Sequence, residues 1–347
     1  MKKIKIANKF VGGEEPTFII AEVGSNHDCK LRQAKKLIDA AADAGADAVK
    51  FQTFLADKLV AKTSLKAEYM ERVSEKKSTY DIFRKIELPR EWHYELAEYA
   101  NKRGLIFLSS VFDKEGVNLL DEIGVPAFKI ASGELTNLPL LRYTAEKGKP
   151  MIVSTGASTI GEIEGAVSII KATGNQEIIL LHCVSNYPAA TEDVNLRSMV
   201  TMQRTFQLPT GYSDHTLGII APLVAVALGA VIIEKHFTLN KKLSGPDHFY
   251  ALEPEELKTM VENICTIKKL MGSSIKQPAK SEKESRNLGS RSIFAKTDIP
   301  AGTTITGEML AILRPAIGLQ PKYIDVIVGR KARVDINRYE PITWDNI

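Results

Sequence analysis

The sequence predicts an α/β fold, a closed (β/α)8 TIM barrel followed by a small β-rich module. Three observations carry that prediction. Residues 17–271 repeat a short β-rich run and an amphipathic helical stretch, the alternation of a parallel sheet with crossover helices. The runs are nearly continuous in apolar residues, as strands buried on both faces require. Eight of them fall within about 250 residues, the length of one closed barrel. A doubly wound open sheet is the competing architecture, but no Gly-rich dinucleotide fingerprint follows the first run.

In order, the runs are TFIIAEV (17–23), DAVKFQ (47–52), LIFLSS (105–110), AFKIAS (127–132), MIVST (151–155), IILLHC (178–183), TGYSD (210–214) and VIIEKHF (231–237). Apolar residues three and four apart predict helices over 31–44, 92–103, 160–172, 222–228 and 255–271. Residues 53–90 form a long insertion with little strand character and read as a loop with helical pieces over the barrel mouth. The segment GSSIKQPAKSEKESRNLGSR (272–291) is polar and Lys/Ser-rich, the composition of a linker. Short β runs separated by PAG, GR and RYEP turns fill 292–347. So small a module has a marginal core and is expected to pack on another surface. The expected organisation is a catalytic barrel over 1–271, a linker over 272–291 and a β-rich domain over 292–347.

Composition excludes several classes. Lys+Arg 46 against Asp+Glu 42 leaves a net charge of +4, which gives no reason to expect a nucleic-acid partner. Hydrophobic residues at 44% and charged residues at 25% exclude extensive disorder. No apolar run approaches the ~20 residues needed to cross a bilayer. The basic start MKKIKIANKF leads into Gly12, Gly13, Glu14 and Glu15, not into an apolar signal core. Cys29, Cys183 and Cys265 are odd in number and far apart, implying neither a disulfide framework nor a zinc knuckle. The expectation is a cytoplasmic enzyme with no membrane partner.

Chemistry in a barrel of this kind sits at the C-terminal ends of the strands. Every run ends in ionisable or hydroxyl-bearing residues. These are Glu22 with Asn26 and His27; Lys50 and Gln52; Ser109 and Ser110; Lys129 and Ser132 with Glu134 beyond; Ser154 and Thr155; His182, Ser185 and Tyr187; Ser213, Asp214 and His215; and Glu234 and His236. One such residue ordinarily just enters solvent, but all eight ends share the property. Lys50 and Lys129 supply charge for a phosphate and a carboxylate, and Ser110, Ser132 and Ser154 supply directed donors. Salt bridges from either lysine to Glu22, and Schiff-base chemistry at Lys129 or Lys50, are open alternatives. His215 and His236 follow the same-face residues Ser213 and Glu234 on adjacent runs. Two imidazoles converging there can hold a divalent metal whose shell water and substrate oxygens complete; a hydrogen-bonded pair of loop histidines is the alternative. His27 and His182 are weaker candidates, while His93 and His248 look peripheral. In the SGPDHF turn (244–249), Asp247 is placed to accept hydrogen bonds from substrate hydroxyls, although Asp is common in turns.

Across essentially the whole chain these motifs resemble the sialic acid synthase (NeuB-like) family. They are IIAEVGSNHD (19–28), DAVKFQ (47–52), FKIASGELTN (128–137), VSTGAS (153–158), GYSDHTLG (211–218), EKHFT (234–238) and SGPDH (244–248). Residues 292–347, with LRP at 313–315, resemble the antifreeze-like (SAF) domain that closes these proteins. The resemblance implies condensation of phosphoenolpyruvate with an N-acetylated mannosamine-type sugar. It puts a divalent metal, manganese first with magnesium or cobalt as substitutes, on His215 and His236. It puts phosphoenolpyruvate on Lys50, Ser110, Lys129, Ser132, Ser154, Ser185 and Ser213, and the open-chain sugar on Gln52, Glu134, Tyr187 and Asp247. Glu22 becomes the acid/base residue. Arg314 is similar to the arginine that a partner subunit's SAF domain inserts over the sugar's N-acyl group, which implies a domain-swapped homodimer. The sequence departs from the family at Cys29, where a glycine turn is usual, at Val111 in place of a Ser-Thr-Pro ending, and at Ala316 after Arg314-Pro315. Gly133-Glu134 is similar to the neuraminate and legionaminate branches. N-acetylneuraminate synthase is the first expectation and N,N'-diacetyllegionaminate synthase the second. A non-catalytic sugar-binding protein is the alternative of a different class, against which the intact set of Glu22, both lysines and both histidines argues.

Overall fold

A computed structural model describes residues 2–62 and 78–347. The chain divides into two compact units, Met1–Gly272 and Ser273–Ile347. The first opens with an antiparallel hairpin of β1 (Ile4–Ile6) and β2 (Lys9–Val11), where the sequence alone shows only a basic start. The eight apolar runs become β3 (Phe18–Glu22), β4 (Ala48–Thr53), β5 (Ile106–Val111), β6 (Phe128–Ile130), β7 (Met151–Ser154), β8 (Ile178–His182), β9 (Thr210–Asp214) and β10 (Ile232–His236). All pair in parallel, and β10 pairs with β3 to close the barrel.

Strand alternation sends every second side chain inward. At the N-terminal end those positions are apolar: Phe18, Ile20, Ala48, Ile106, Leu108, Ile152, Ile179, Leu181 and Ile232 form one buried cluster. Ile4, Ile6 and Val11 of the hairpin pack into the same cluster, each fully buried. The outward positions, among them Val49, Phe107, Val153 and Ile233, pack with the helices in the larger core. At this end both faces of the strands are therefore dry, which explains the apolar residues that open most of the runs.

Helices follow where expected at Leu31–Asp43, Trp92–Lys102, Ile160–Ala172, Ile220–Ala227 and Pro254–Met271. Three more, Lys114–Ile123, Leu138–Ala145 and Arg197–Phe206, complete the expected alternation. Their apolar periodicity is short, and local signals fix two of them. Asp113 caps Gly116 N–H and Gly124 ends that helix with φ 81°, while Asn137 caps Leu140 N–H ahead of the next. Within the long insertion, helices occupy Ala56–Leu59 and Thr79–Ile86, and residues 63–77 of that expected mouth loop lie outside the described residues. No helix among the described residues is long and apolar enough to cross a membrane.

The second unit pairs β11 (Ser292–Ala295) antiparallel with β12 (Leu310–Leu313). Its small core is built from Ile293, Ile299, Ile305, Ile327, Ile336 and Ile342. The stretch read as a linker carries a short helix, Lys283–Gly289. Asn287 C=O accepts from Ala316 N–H at 2.8 Å, and Ser292 Oγ donates to Pro315 C=O at 2.7 Å. These bonds hold the turn that carries the exposed Arg314. Ala316 is not among the positive-φ residues, so alanine fits where a family glycine is usual.

Candidate active site

Towards their C-terminal ends the inward positions change from apolar to ionisable. Glu22 ends β3 and Lys50 stands opposite it on β4, with Cα atoms in register. Lys50 Nζ lies 2.7 Å from Glu22 Oε2, close enough for an ion pair but out of hydrogen-bond alignment. It also donates to Ser110 Oγ at 3.0 Å. Gln52, two residues on and on the same face, donates to Glu22 Oε1 at 3.2 Å. Across the barrel Lys129 Nζ donates to Ser154 Oγ at 2.7 Å. Glu234 Oε1 lies 3.6 Å from both Lys50 Nζ and Lys129 Nζ, and accepts from Ser213 Oγ at 3.0 Å. Seven residues expected at the site are thus one connected cluster, with Glu234 at its hub.

Sequence reasoning named Glu234 only as a neighbour of His236 and did not place it with the lysines. The available signal was its i, i+2 spacing from His236, which puts both side chains inside the barrel. Barrel closure brings that strand against β3, and no local pattern reports closure.

Burial and charge set the protonation states. Burial pushes Glu22 up to about 7, against the pull of Lys50 and with the help of Glu234. Burial acts on Glu234 in the same direction, but Lys129 and Lys50 outweigh it and bring its carboxyl down to about 2. Burial disfavours the Lys50 ammonium, yet Glu22 and Glu234 overcome this and hold it above its ordinary value. Lys129 is lowered by burial, which Glu234 only partly offsets, and Lys50 lowers it further. Glu234 gains from two cations while Lys129 leans on that single shared carboxylate, so the two partners shift unequally. The salt-bridge alternative is therefore realised with Glu22 for Lys50, but with Glu234 for Lys129. It leaves two ammonium groups, one ionised carboxylate and one carboxyl that titrates near neutrality inside the same barrel.

A second group surrounds Gly156. Ser132 Oγ accepts from Gly156 N–H at 3.0 Å and lies 3.0 Å from Cys183 Sγ. A Cβ at Gly156 would stand 2.3 Å from Ser185 Oγ and 2.9 Å from both Ser132 Oγ and Cys183 Sγ. Glycine is required there by close approach, and it draws Ser132 and Ser185 together. Glu134 follows on the Ser132–Glu134 turn and accepts from Asn137 Nδ2 at 2.8 Å.

A third group is aromatic. The rings of His215 and His236 are centred 5.6 Å apart, Tyr187 lies tilted with its centre 4.3 Å from that of His215, and Tyr250 lies 5.3 Å from His236. His215 Nδ1 is 2.7 Å from Val184 C=O and carries the proton it donates there, leaving Nε2 with its lone pair. Burial holds both histidines below their ordinary value, so both rings are neutral. His236 Nδ1 is buried without a partner. Among the described residues five buried polar atoms lack a hydrogen bond, and four of these, on Glu22, Asn26, Glu234 and His236, belong to this end of the barrel. Lys50 faces Glu22 Oε2 as an ion pair; Asn26 Oδ1, Glu234 Oε2 and His236 Nδ1 are groups of a kind that native interiors rarely leave unpaired, and their clustering marks a place where something binds. The donor set fits a divalent cation held by two neutral imidazoles. No group of three or more His, Cys, Asp or Glu side chains that could hold a metal occurs among the described residues.

Asp247 Oδ2 accepts from Ser25 N–H and Ser25 Oγ at 3.1 and 2.8 Å, and its Oδ1 accepts from Tyr250 at 3.0 Å. A Cβ at Gly24 would stand 2.9 Å from both Asp247 Oδ2 and His236 Cε1, so Asp247 and His236 share one wall. His27 lies in a turn and accepts from Cys29 N–H, while His182 hydrogen-bonds Val194 C=O and stacks on Tyr212. His93 and His248, read as peripheral, are fully buried. His93 bonds Thr53 across a gap of 40 residues, a pairing that local sequence does not report. Cys29 has φ 50°, a left-handed conformation that explains why glycine is usual there.

Residues 37–276 match the model of the NeuB family, and residues 290–347 match that of the SAF domain. The chain is 44% identical to the N,N'-diacetyllegionaminic acid synthase of Legionella pneumophila, over 98% of this chain and 99% of that protein. It is 36% identical to the N-acetylneuraminate-9-phosphate synthase of Mus musculus, over 98% and 95%. The crystal structure of N-acetylneuraminic acid (sialic acid) synthetase from Leptospira borgpetersenii, in complex with citrate, superimposes with a TM-score of 0.74 at 39% identity. That match covers 82% of this chain and 95% of the solved one. The barrel with its polar inner end and the module that follows it belong to a synthase-type enzyme: the chain is a member of the NeuB family and ends in a SAF domain.

Proposed function

We propose that this protein condenses phosphoenolpyruvate with an N-acylated mannosamine-type sugar, giving a nonulosonate and inorganic phosphate. The observation that carries the reading is the meeting of Lys50, Lys129, Glu22 and Glu234 inside the barrel, 2.7–3.6 Å apart. Two ammonium groups and the Ser110, Ser132, Ser154, Ser185 and Ser213 hydroxyls suit a substrate carrying both a phosphate and a carboxylate.

His215 and His236 would hold the divalent ion, manganese first, which supplies Lewis acidity to the sugar's aldehyde oxygen. Tyr187, Gln52, Glu134 and Asp247 orient the open-chain sugar so that its C1 faces C3 of phosphoenolpyruvate, which attacks to form the C–C bond. Lys50 and Lys129 stay with the phosphate and carboxylate while C2 gains oxocarbenium character. Glu22, poised near neutrality, takes a proton from the water that adds to C2. The resulting phosphohemiketal collapses with C–O cleavage, and the lysines stabilise the departing phosphate. Arg314 of a partner subunit's SAF domain reaches the N-acyl group in a domain-swapped homodimer.

For the sugar, similarity to the legionaminic acid synthase at 44% against 36% for the 9-phosphate synthase favours a 2,4-diacetamido-6-deoxy sugar. N-acetylmannosamine is the second reading, supported by the Leptospira synthetase at 39%. The test is phosphate release by purified protein given phosphoenolpyruvate, manganese and each sugar in turn. Turnover with one sugar is expected. No release with any of them, or borohydride trapping of pyruvate on Lys129, contradicts the proposal.

A further inference from the structure

His248 holds none of the groups assigned to substrate, yet it is completely buried and engaged at both ring nitrogens. Its Nε2 lies 3.0 Å from Asp28 Oδ1, and its Nδ1 lies 2.6 Å from Thr238 Oγ1. A carboxylate only accepts, so Nε2 carries the proton given to Asp28, and in the neutral ring Thr238 O–H donates to Nδ1. Asp28 belongs to the loop after β3, and Thr238 and His248 belong to the connection after β10. The chain of bonds therefore crosses the seam where the barrel closes. It spans 220 positions between Asp28 and His248.

The seam is built tightly. Asp28 and Cys29 both hold left-handed backbone, φ 49° and 50°, a conformation that needs local support in anything but glycine. Asp28 Oδ2 receives that support from Gln33 Nε2 at 2.7 Å, and Oδ1 receives it from His248. Gly245 has no room for a side chain, since a Cβ there would lie 2.7 Å from His248 Cδ2 and 3.2 Å from Asp28 Oδ1. Next to His248, the Asp247 carboxylate takes two hydrogen bonds from Ser25, in the same loop as Asp28. Asp247 is thus aimed by a loop that His248 fastens.

We propose that the Thr238–His248–Asp28 chain is a positioning device that locks the loop after β3 to the connection after β10 and so holds the Asp247 carboxylate in place for the sugar. The role of Asp247 rests on the reading given under Proposed function; the lock itself does not. None of the three residues touches the lysine cluster, so loss of the lock falls on the sugar and spares phosphoenolpyruvate.

The test compares the full-length wild type with His248→Ala, Asp28→Ala and Asp28→Asn. Asparagine keeps an acceptor for His248 and tolerates left-handed backbone. His248→Ala and Asp28→Ala are expected to raise KM for the sugar by about tenfold or more, leave KM for phosphoenolpyruvate within about twofold, and speed hydrogen exchange in residues 23–30, whose Ser25 amide is protected by Asp247. Asp28→Asn keeps the acceptor for His248 but turns an amide N–H towards Gln33 Nε2, so it is expected to restore most of both. Two results overturn the proposal: an unchanged sugar KM and exchange rate in both alanine variants, or an equal rise in KM for both substrates. Should the wild type turn over no sugar, the functional reading fails, and faster exchange in His248→Ala, largely absent in Asp28→Asn, decides the lock alone.

Discussion

Lys50 Nζ and Glu22 Oε2 lie 2.7 Å apart inside the barrel, each side chain at most 3% exposed. Burial nonetheless keeps the glutamate near 7, well above its ordinary 4.5. The folded protein thus binds this proton more tightly than the unfolded chain. The stability this confers is complete below pH 4.5 and is lost as pH rises to about 7. Glu22→Gln cannot ionise. Its thermal midpoint should gain on the wild type as pH climbs through that window, and a constant difference across it would show that Glu22 is ionised throughout. The same variant should lose turnover by about 10²–10⁴-fold while still binding phosphoenolpyruvate.

Glu234 carries the opposite sign. Lys129 and Lys50 hold it near 2, so its contribution to stability is present above pH 4.5 and falls away as pH drops towards 2. Glu234→Gln leaves two buried ammonium groups without their shared carboxylate and is expected to cost about 3–5 kcal/mol. Because inorganic phosphate brings back negative charge, it should recover part of that loss in a denaturant titration of the variant. A loss that phosphate does not reduce would argue that the anion does not bind between these lysines.

Two neutral imidazoles set the metal prediction. Chelation by EDTA should abolish activity and manganese should restore it to the wild type. His236→Ala should remain inactive at any manganese concentration and show no tight site in manganese titration calorimetry. Undiminished activity in EDTA would remove the metal from the account.

Gly156→Ala tests the serine cluster. The added methyl would stand 2.3 Å from Ser185 Oγ and 2.9 Å from Ser132 Oγ, so both hydroxyls must move. The expected outcome is a rise of about tenfold in KM for phosphoenolpyruvate. An unaltered KM would mean that these serines do not touch this substrate.

Much of the molecule was legible in the sequence, and the boundary follows physics. β8, for example, is expected over 178–183 and is found at Ile178–His182, because burial on both faces leaves a continuous apolar signature. Lys50 and Gln52 were placed on one face by strand alternation alone, and both reach Glu22. Contacts that depend on closure were not legible. Glu234 meets Lys50 only because β10 returns to β3, and His248 meets Asp28 for the same reason. The hairpin of β1 and β2 escaped because three-residue strands carry too little pattern to stand out. The helix at Arg197–Phe206 is amphipathic over only ten residues, with two buried methionines to mark its inner face.

The proposed reaction releases phosphate by breaking the C2–O bond of phosphoenolpyruvate. Phosphoenolpyruvate labelled with ¹⁸O at the bridging position, incubated with the protein, manganese and the accepted sugar, tests this directly by ³¹P NMR of the released phosphate. The label is expected to leave with phosphate; unlabelled phosphate, with ¹⁸O retained at C2 of the sugar acid, would contradict C–O cleavage.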